Sequence, residues 1–114
     1  TDRYVSLWNE PDAARRRATI EALWTPTGAN YTASKAAVGY EELDARVTSA
    51  YAAYVGTGEY VFRAHTPAVA HHDAVKVEWE MVAVATDTVA SIGLEFLVLD
   101  AEGRIVSDHQ FLVS

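Results

Sequence analysis

The chain has 114 residues, the size of one domain, and it contains no cysteine. Disulfide scaffolds, thiolate zinc sites and cysteine nucleophiles are therefore excluded. Nine basic residues against 16 acidic ones give a net charge of -7, which disfavours binding to nucleic acid or to an anionic membrane. No apolar run has the length of a membrane-spanning helix. We expect a single domain over residues 1–114, located in the cytoplasm.

The first half of the chain has mostly helical periodicity, in which apolar residues recur three or four positions apart. Asn9 is a suitable N-cap for the second of three predicted helices. A break at residues 25–28 is followed by a short strand over Ala29–Ala33. The three helices are predicted at Asp2–Trp8, from Asn9 to about Trp24, and at about Tyr40–Tyr54.

From Glu59 onward apolar and polar residues alternate with a period of two, which is typical of strands with one solvent-exposed and one buried face. The clearest strand contains Val75, Val77, Trp79 and Met81. Two further strands, at residues 89–100 and 104–113, flank a turn at residues 100–103 whose glycine suits a hairpin. Helices followed by strands predict an α+β fold, with the helices on one face of a curved, mostly antiparallel sheet.

The strand at residues 89–100 is apolar on both faces, since Ile92, Leu94 and Phe96 alternate with Leu97 and Leu99. Both faces should therefore be buried. The helices can cover one face, and no helix is left for the other. We infer a homodimer through the outer sheet face. A sheet edge that curls on itself is the alternative.

Glu95 lies on an apolar face of this strand, between Gly93 and Leu97. A carboxylate there loses hydration, so its pKa should rise, which suits a proton donor or a general base near neutral pH. The alternative is a structural glutamate that is tied to a neighbour or points outward after a register slip.

The hairpin turn places Glu95 roughly opposite Gln110, with Asp108 diagonal to it on the same face. Ile105 and His109 fall on the other, outer face, where we expect His109 at the dimer surface. A few polar groups that converge in an apolar hollow are typical of a small-molecule site. We expect a small apolar molecule as the partner. Trp79 is interpreted as pocket wall or core, and Tyr31 as a ligand hydroxyl or a satisfied core tyrosine. The expected ligand-binding residues are Trp79, Gln110, Tyr31, Trp8 and Met81.

Several short motifs occur in a characteristic order along the chain. They are Tyr4-Val5-Ser6-Leu7-Trp8-Asn9 with Asp12, the helix end at Trp24, Gly39 before a helix, and Gly93-Leu94-Glu95 leading to Asp100-Ala101-Glu102-Gly103-Arg104-Ile105. This pattern resembles the nuclear transport factor 2-like (NTF2-like) superfamily, and its SnoaL-like branch most closely. The resemblance implies a cone-shaped, cystatin-like α+β fold, in which three helices pack on a strongly curved, mostly antiparallel sheet around a pocket. It also implies that dimers are common.

The resemblance implies roles for individual residues. Tyr4 matches the tyrosine on the first helix of ketosteroid isomerases. Glu95 matches the acidic residue on a strand of those enzymes, and its side chain is one methylene longer. Their general-base aspartate corresponds to about Ala33, so that base is absent. Asp108 could stand in for the pocket aspartate of SnoaL-type cyclases. The catalytic positions of epoxide hydrolases hold Trp79, Met81 and Gln110 here, which does not support that mechanism.

His71-His72-Asp73 has the composition of a metal motif. Adjacent residues of a turn point in different directions, so a polar hairpin turn is the favoured interpretation. We expect no metal and no cofactor.

The sequence predicts a cofactor-independent acid–base enzyme of the isomerase, cyclase or lyase type that acts on a largely apolar metabolite. Glu95 would be the proton donor or base, Tyr4 an oxyanion donor and Asp108 a second carboxylate. A ligand-binding or dimerisation module without turnover is the alternative, and the missing isomerase base favours it.

Overall fold

The computed structural model describes residues 2–113. It is an α+β fold with helices mainly in the first half of the chain. The helices are α1 (Asp2–Leu7), α2 (Ala13–Leu23) and α3 (Gly39–Ala50), and α3 continues into a π-helical segment at Tyr51–Val55. The strands are β1 (Trp24–Tyr31), β2 (Ala36–Val38), β3 (Tyr60–His71), β4 (Ala74–Ala83), β5 (Thr88–Leu99) and β6 (Ile105–Leu112).

The strands form one six-stranded mixed sheet in the order β2-β1-β6-β5-β4-β3. Strands β3 to β6 pair with their sequence neighbours in antiparallel fashion. Strand β1 pairs with β2 antiparallel and with β6 parallel. The parallel pair joins the two ends of the chain, so side chains from both halves meet on the inner face of β1 and β6.

Asn9 is not the N-cap of α2, which corrects the sequence prediction. Asp12 has an extended backbone and caps the helix, because its side chain accepts a hydrogen bond from the backbone N–H of Arg15 at 2.9 Å. The Asn9 side chain instead bonds the backbone of Phe62, donating to its carbonyl at 2.6 Å and accepting from its N–H at 2.8 Å. Asn9 therefore links the end of α1 to β3.

Residues 25–28, predicted as a break, lie inside β1, where the register against β6 shifts between Trp24 and Ala29. Gly28 permits the close approach of the two strands. A Cβ atom at this position would lie 2.7 Å from the carbonyl oxygen of Ile105, closer than packed atoms allow. The irregular segment needs glycine for that reason.

The apolar core lies between the helices and the inner face of the sheet. Trp24, Ile20 and Leu43 are fully buried. The strands contribute Val77, Leu97 and Ile105 to the same cluster. Ile105 was expected on the outer face, but a register shift between Val98 and Leu99 pairs it with Leu99 and turns it inward.

The outer face of β5 is less covered than the inner face. Glu95 and Leu97 are buried, whereas Phe96 is 43% exposed and Leu94 is partly exposed. A single chain thus buries one face of this strand, and the dimer that would cover the other face stays a prediction.

The turn interpretation of His71-His72-Asp73 is confirmed. His71 ends β3, and His72 and Asp73 form the turn to β4, with a φ of 56° at His72. None of the helices within residues 2–113 is long and apolar enough to cross a membrane.

Candidate functional site

A hollow of about 840 Å³ lies against α1, α3 and the inner side of the sheet. Its wall is mainly aromatic and aliphatic. All five residues predicted to bind a ligand line it, and so do Tyr4 and Glu95. Those five are Trp79, Gln110, Tyr31, Trp8 and Met81. Asp108 does not line the hollow, because it lies fully buried behind Tyr4.

Tyr4, Glu95 and Asp108 converge on one hydroxyl group. The phenolic oxygen of Tyr4 lies 2.5 Å from Oδ2 of Asp108 and 3.0 Å from Oε1 of Glu95. Helix α1 supplies the tyrosine, and the antiparallel pair β5–β6 supplies the two acids. The predicted register is confirmed, since Glu95 pairs directly with Gln110.

The two distances to Tyr4 require a proton on a carboxyl group. A phenol has one hydrogen and can donate to only one of its two neighbours. The other short contact needs a hydrogen from Glu95 or Asp108. The short contact to Asp108 has the length of a bond from a hydroxyl to a carboxylate, which favours a chain in which Glu95 donates to Tyr4 and Tyr4 donates to Asp108.

Burial sets the protonation of this cluster. Loss of hydration, reinforced by the neighbouring charge of Asp108, raises the pKa of Glu95 to about 10. Burial also raises the pKa of Asp108, although hydrogen bonds from its neighbours oppose this shift. Burial and both carboxyls raise the pKa of Tyr4 as well. At neutral pH the hollow therefore presents Glu95 as an uncharged acid.

Trp79 orients the other oxygen of Glu95. Its indole N–H donates to Oε2 of Glu95 at 2.8 Å. Gly93 is the direct partner of Trp79 in the β4–β5 pairing, and a Cβ atom there would lie 2.0 Å from the indole ring. The indole therefore occupies the space that a side chain at position 93 would need.

Asn30 was missed by sequence reasoning. Its amide donates to Oδ2 of Asp108 at 3.0 Å, and the two residues are partners in the parallel β1–β6 pairing. Both are essentially unexposed. A polar residue beside Ala29 in a short strand was the available signal, but the parallel pairing that gives it a partner is not visible in the sequence.

Arg46 was also missed. It lies on α3 and lines the hollow, where its guanidinium group sits 5.2 Å above the Trp8 ring and 3.4 Å from Oε1 of Gln110. Its position three residues after Leu43 and four before Ala50 places it on the buried face of the helix. That spacing was the signal that could have identified it.

Tyr31 lies at the rim of the hollow. Its ring stacks on that of His109 at 5.1 Å between centroids, and the two residues pair in the β1–β6 register. His109, expected at a dimer surface, also lines the hollow. The rim is therefore built from the same strand pair that holds Asp108.

Solved structures share this arrangement of helices and strands. A protein from Agrobacterium tumefaciens, provisionally named an isomerase of the SnoaL-like family, superposes with a TM-score of 0.88 over 98% of this chain and 92% of its own, at 21% identity. An NTF2-like protein of unknown function from Exiguobacterium gives a TM-score of 0.75 over 97% and 95% of the two chains, at 18% identity. The chain has the fold of the SnoaL-like and NTF2-like proteins.

A third similar structure is provisionally named a polyketide cyclase and comes from Sinorhizobium meliloti. It gives a TM-score of 0.69 over 94% of this chain and 92% of its own, at 12% identity. No protein-family model matches the chain, and no curated protein sequence matches it. The similarity therefore concerns the fold, and the chemistry must be argued from the site.

Proposed function

We propose that this chain is a SnoaL-like protein that binds a largely apolar small molecule in the hollow and performs cofactor-independent acid–base chemistry on it. The observation that carries the proposal is the Tyr4 hydroxyl held between the buried carboxyls of Glu95 and Asp108. Reactions of the isomerase, cyclase or lyase type need such groups next to a carbonyl. The cone shape implied by the family resemblance would enclose the ligand.

Each residue of the cluster has a distinct proposed role. Glu95 donates its proton to the carbonyl oxygen of the ligand, while a water molecule takes a proton from the adjacent carbon and an enol forms. Tyr4 then turns its one hydroxyl hydrogen from Asp108 to the resulting Glu95 carboxylate and stabilises it by a hydrogen bond. Asp108 positions Tyr4 and does not touch the ligand, because it lies behind the wall of the hollow.

The alternative is a binding protein without turnover. Ala33 lines the hollow at the position where the family resemblance places an isomerase base, and an alanine cannot accept a proton. In that case the Glu95 acid holds a carbonyl group by a hydrogen bond alone.

Binding of a naphthyl methyl ketone as a probe tests both the proposed enzyme and the alternative binding protein. A hydrogen bond from the Glu95 acid should lower the carbonyl stretching frequency of the bound ketone, as measured by infrared spectroscopy. Catalysis should also exchange the methyl protons for deuterium in D2O, as followed by NMR. Glu95→Gln should keep binding and lose the exchange, since an amide retains hydrogen bonds but cannot donate a proton to the ligand.

The exposed variant Glu42→Gln is the control and should behave like the wild type. Binding and a lowered stretching frequency without exchange in the wild type would favour the binding protein. A bound ketone with an unshifted carbonyl stretch would contradict both versions.

A further inference from the structure

The charge inside the hollow differs from the charge of the whole chain. The chain carries a net charge of -7, whereas the lining contributed by residues 2–113 includes the cations Arg46 and Lys35 and one carboxyl side chain, that of Glu95. An apolar cavity focuses the field of the charges in its wall. A negatively charged ligand is therefore drawn to the hollow of a protein that is itself acidic.

Arg46 has unused hydrogen-bonding capacity. No carboxylate within residues 2–113 forms an ion pair with it, in contrast to Arg17 and Arg63. Within the described part of the chain, its buried Nε has no hydrogen-bond partner, and the hydrogen bond from its guanidinium group to Gln110 is long at 3.4 Å. A guanidinium group has five N–H donors in a planar fork that matches a carboxylate.

Two side chains fix the position of this guanidinium. The Trp8 ring supports it from one side at 5.2 Å, and Gln110 accepts its hydrogen bond. Gln110 is also the direct cross-strand partner of Glu95. Arg46 and Glu95 therefore line one cavity, and Gln110 is bonded to the first and paired across the strands with the second.

We propose that the hollow takes an aromatic or alicyclic carboxylate, whose carboxylate pairs with Arg46 while its apolar body packs against the aromatic wall. This inference rests on the proposed function, because it specifies the ligand of the same hollow. The wall includes Trp8, Phe62 and Trp79, and their faces suit a flat ring.

Matched pairs of probes test the proposal. Benzoate and naphthoate are compared with benzamide and naphthamide by isothermal titration calorimetry at neutral pH. The rings are the same within each pair and only the charge differs. The wild type should bind the carboxylates about ten- to a hundredfold more tightly than the amides, which is the range expected for a hydrogen-bonded ion pair. Added salt should weaken the binding of the carboxylates only.

Substitution of Arg46 should remove the preference for the carboxylates. Arg46→Met keeps the alkyl body and should bind acid and amide equally, whereas the exposed control Arg15→Gln should keep the preference. Arg46→Lys retains the positive charge but lacks the planar set of guanidinium donors, so it should keep a reduced preference for the carboxylates. This variant replaces Arg46→Met in the test if the methionine variant does not fold.

The outcomes separate this inference from the proposed function. Equal binding of acid and amide by the wild type, or an unchanged preference in Arg46→Met, would overturn the anion site and leave the small-molecule hollow standing. Absence of binding by all four probes would contradict both.

Discussion

At the scale of single residues, the site depends on a carboxyl group kept away from water. Glu95 is 1% exposed and contacts a phenol and an indole N–H, and no cationic side chain among residues 2–113 forms an ion pair with it. The hydrogen bonds with Trp79 and Tyr4 lower its pKa, but the loss of hydration outweighs them. Burial then decides in favour of the uncharged form.

The raised pKa of Glu95 predicts a specific pH dependence of stability. Between its ordinary pKa of 4.5 and its folded value of about 10, the folded chain holds a proton that the unfolded chain has lost. Raising the pH through this window therefore favours unfolding, by up to about 1.4 kcal/mol per pH unit. Urea titrations of the wild type from acidic to alkaline pH should show this loss.

The same titrations of Glu95→Gln should show a shallower decline, because the proton that Glu95 holds in the folded chain is then absent. The exposed control Glu42→Gln should follow the wild type. Equal pH dependence in the wild type and Glu95→Gln would contradict a buried acid at this position.

At the scale of elements, the pairing of β4 with β5 orients the acid. Trp79 lies across the strand from Gly93, and its N–H reaches Glu95. The glycine is part of the site although it carries no functional group.

Gly93→Ala should therefore disturb the site. The added Cβ atom would overlap the indole of Trp79, and such overpacking costs about 1–3 kcal/mol. Displacement of the indole also breaks its hydrogen bond to Glu95. Chemical denaturation and near-ultraviolet circular dichroism should report both effects, whereas Ala90→Val, at an exposed position of the same strand, should change neither. Unchanged stability and an unchanged tryptophan signal would contradict this role.

Local sequence patterns predicted the helices and strands better than they predicted which strands pair with each other. The period-two strands and the short hairpin fixed the register of Glu95 against Gln110, because both depend on neighbouring residues. The parallel pairing of β1 with β6 joins residues that are far apart in the chain, so Asn30 was not predicted beside Asp108. Bulges have a similar effect, since the register shift near Leu99 reversed the orientation of Ile105.

At the scale of the whole molecule, one sheet face is left for a partner. On the outer face, Phe96 is 43% exposed and Leu94, two residues earlier on β5, is partly exposed. We propose that a second copy of the chain covers this face.

Phe96→Glu should dissociate such a dimer. Phe96 pairs with Lys76 across β4, so a single chain tolerates an acid there, while two copies would bury the acids close together. Light scattering after size-exclusion chromatography should give a dimer mass for the wild type and for the control Val84→Glu, which changes an exposed residue between β4 and β5. A monomeric wild type at high concentration would contradict the dimer.

The protonation of Glu95 is the claim on which the chemistry depends, and infrared spectroscopy measures it directly. The difference spectrum between the wild type and Glu95→Gln, with glutamate labelled by carbon-13, isolates the stretching band of this one carboxyl group. We predict the band of a protonated acid at neutral pH, converting to the carboxylate band only near pH 10. A carboxylate band at neutral pH, with a midpoint near the ordinary value of 4.5, would contradict the account.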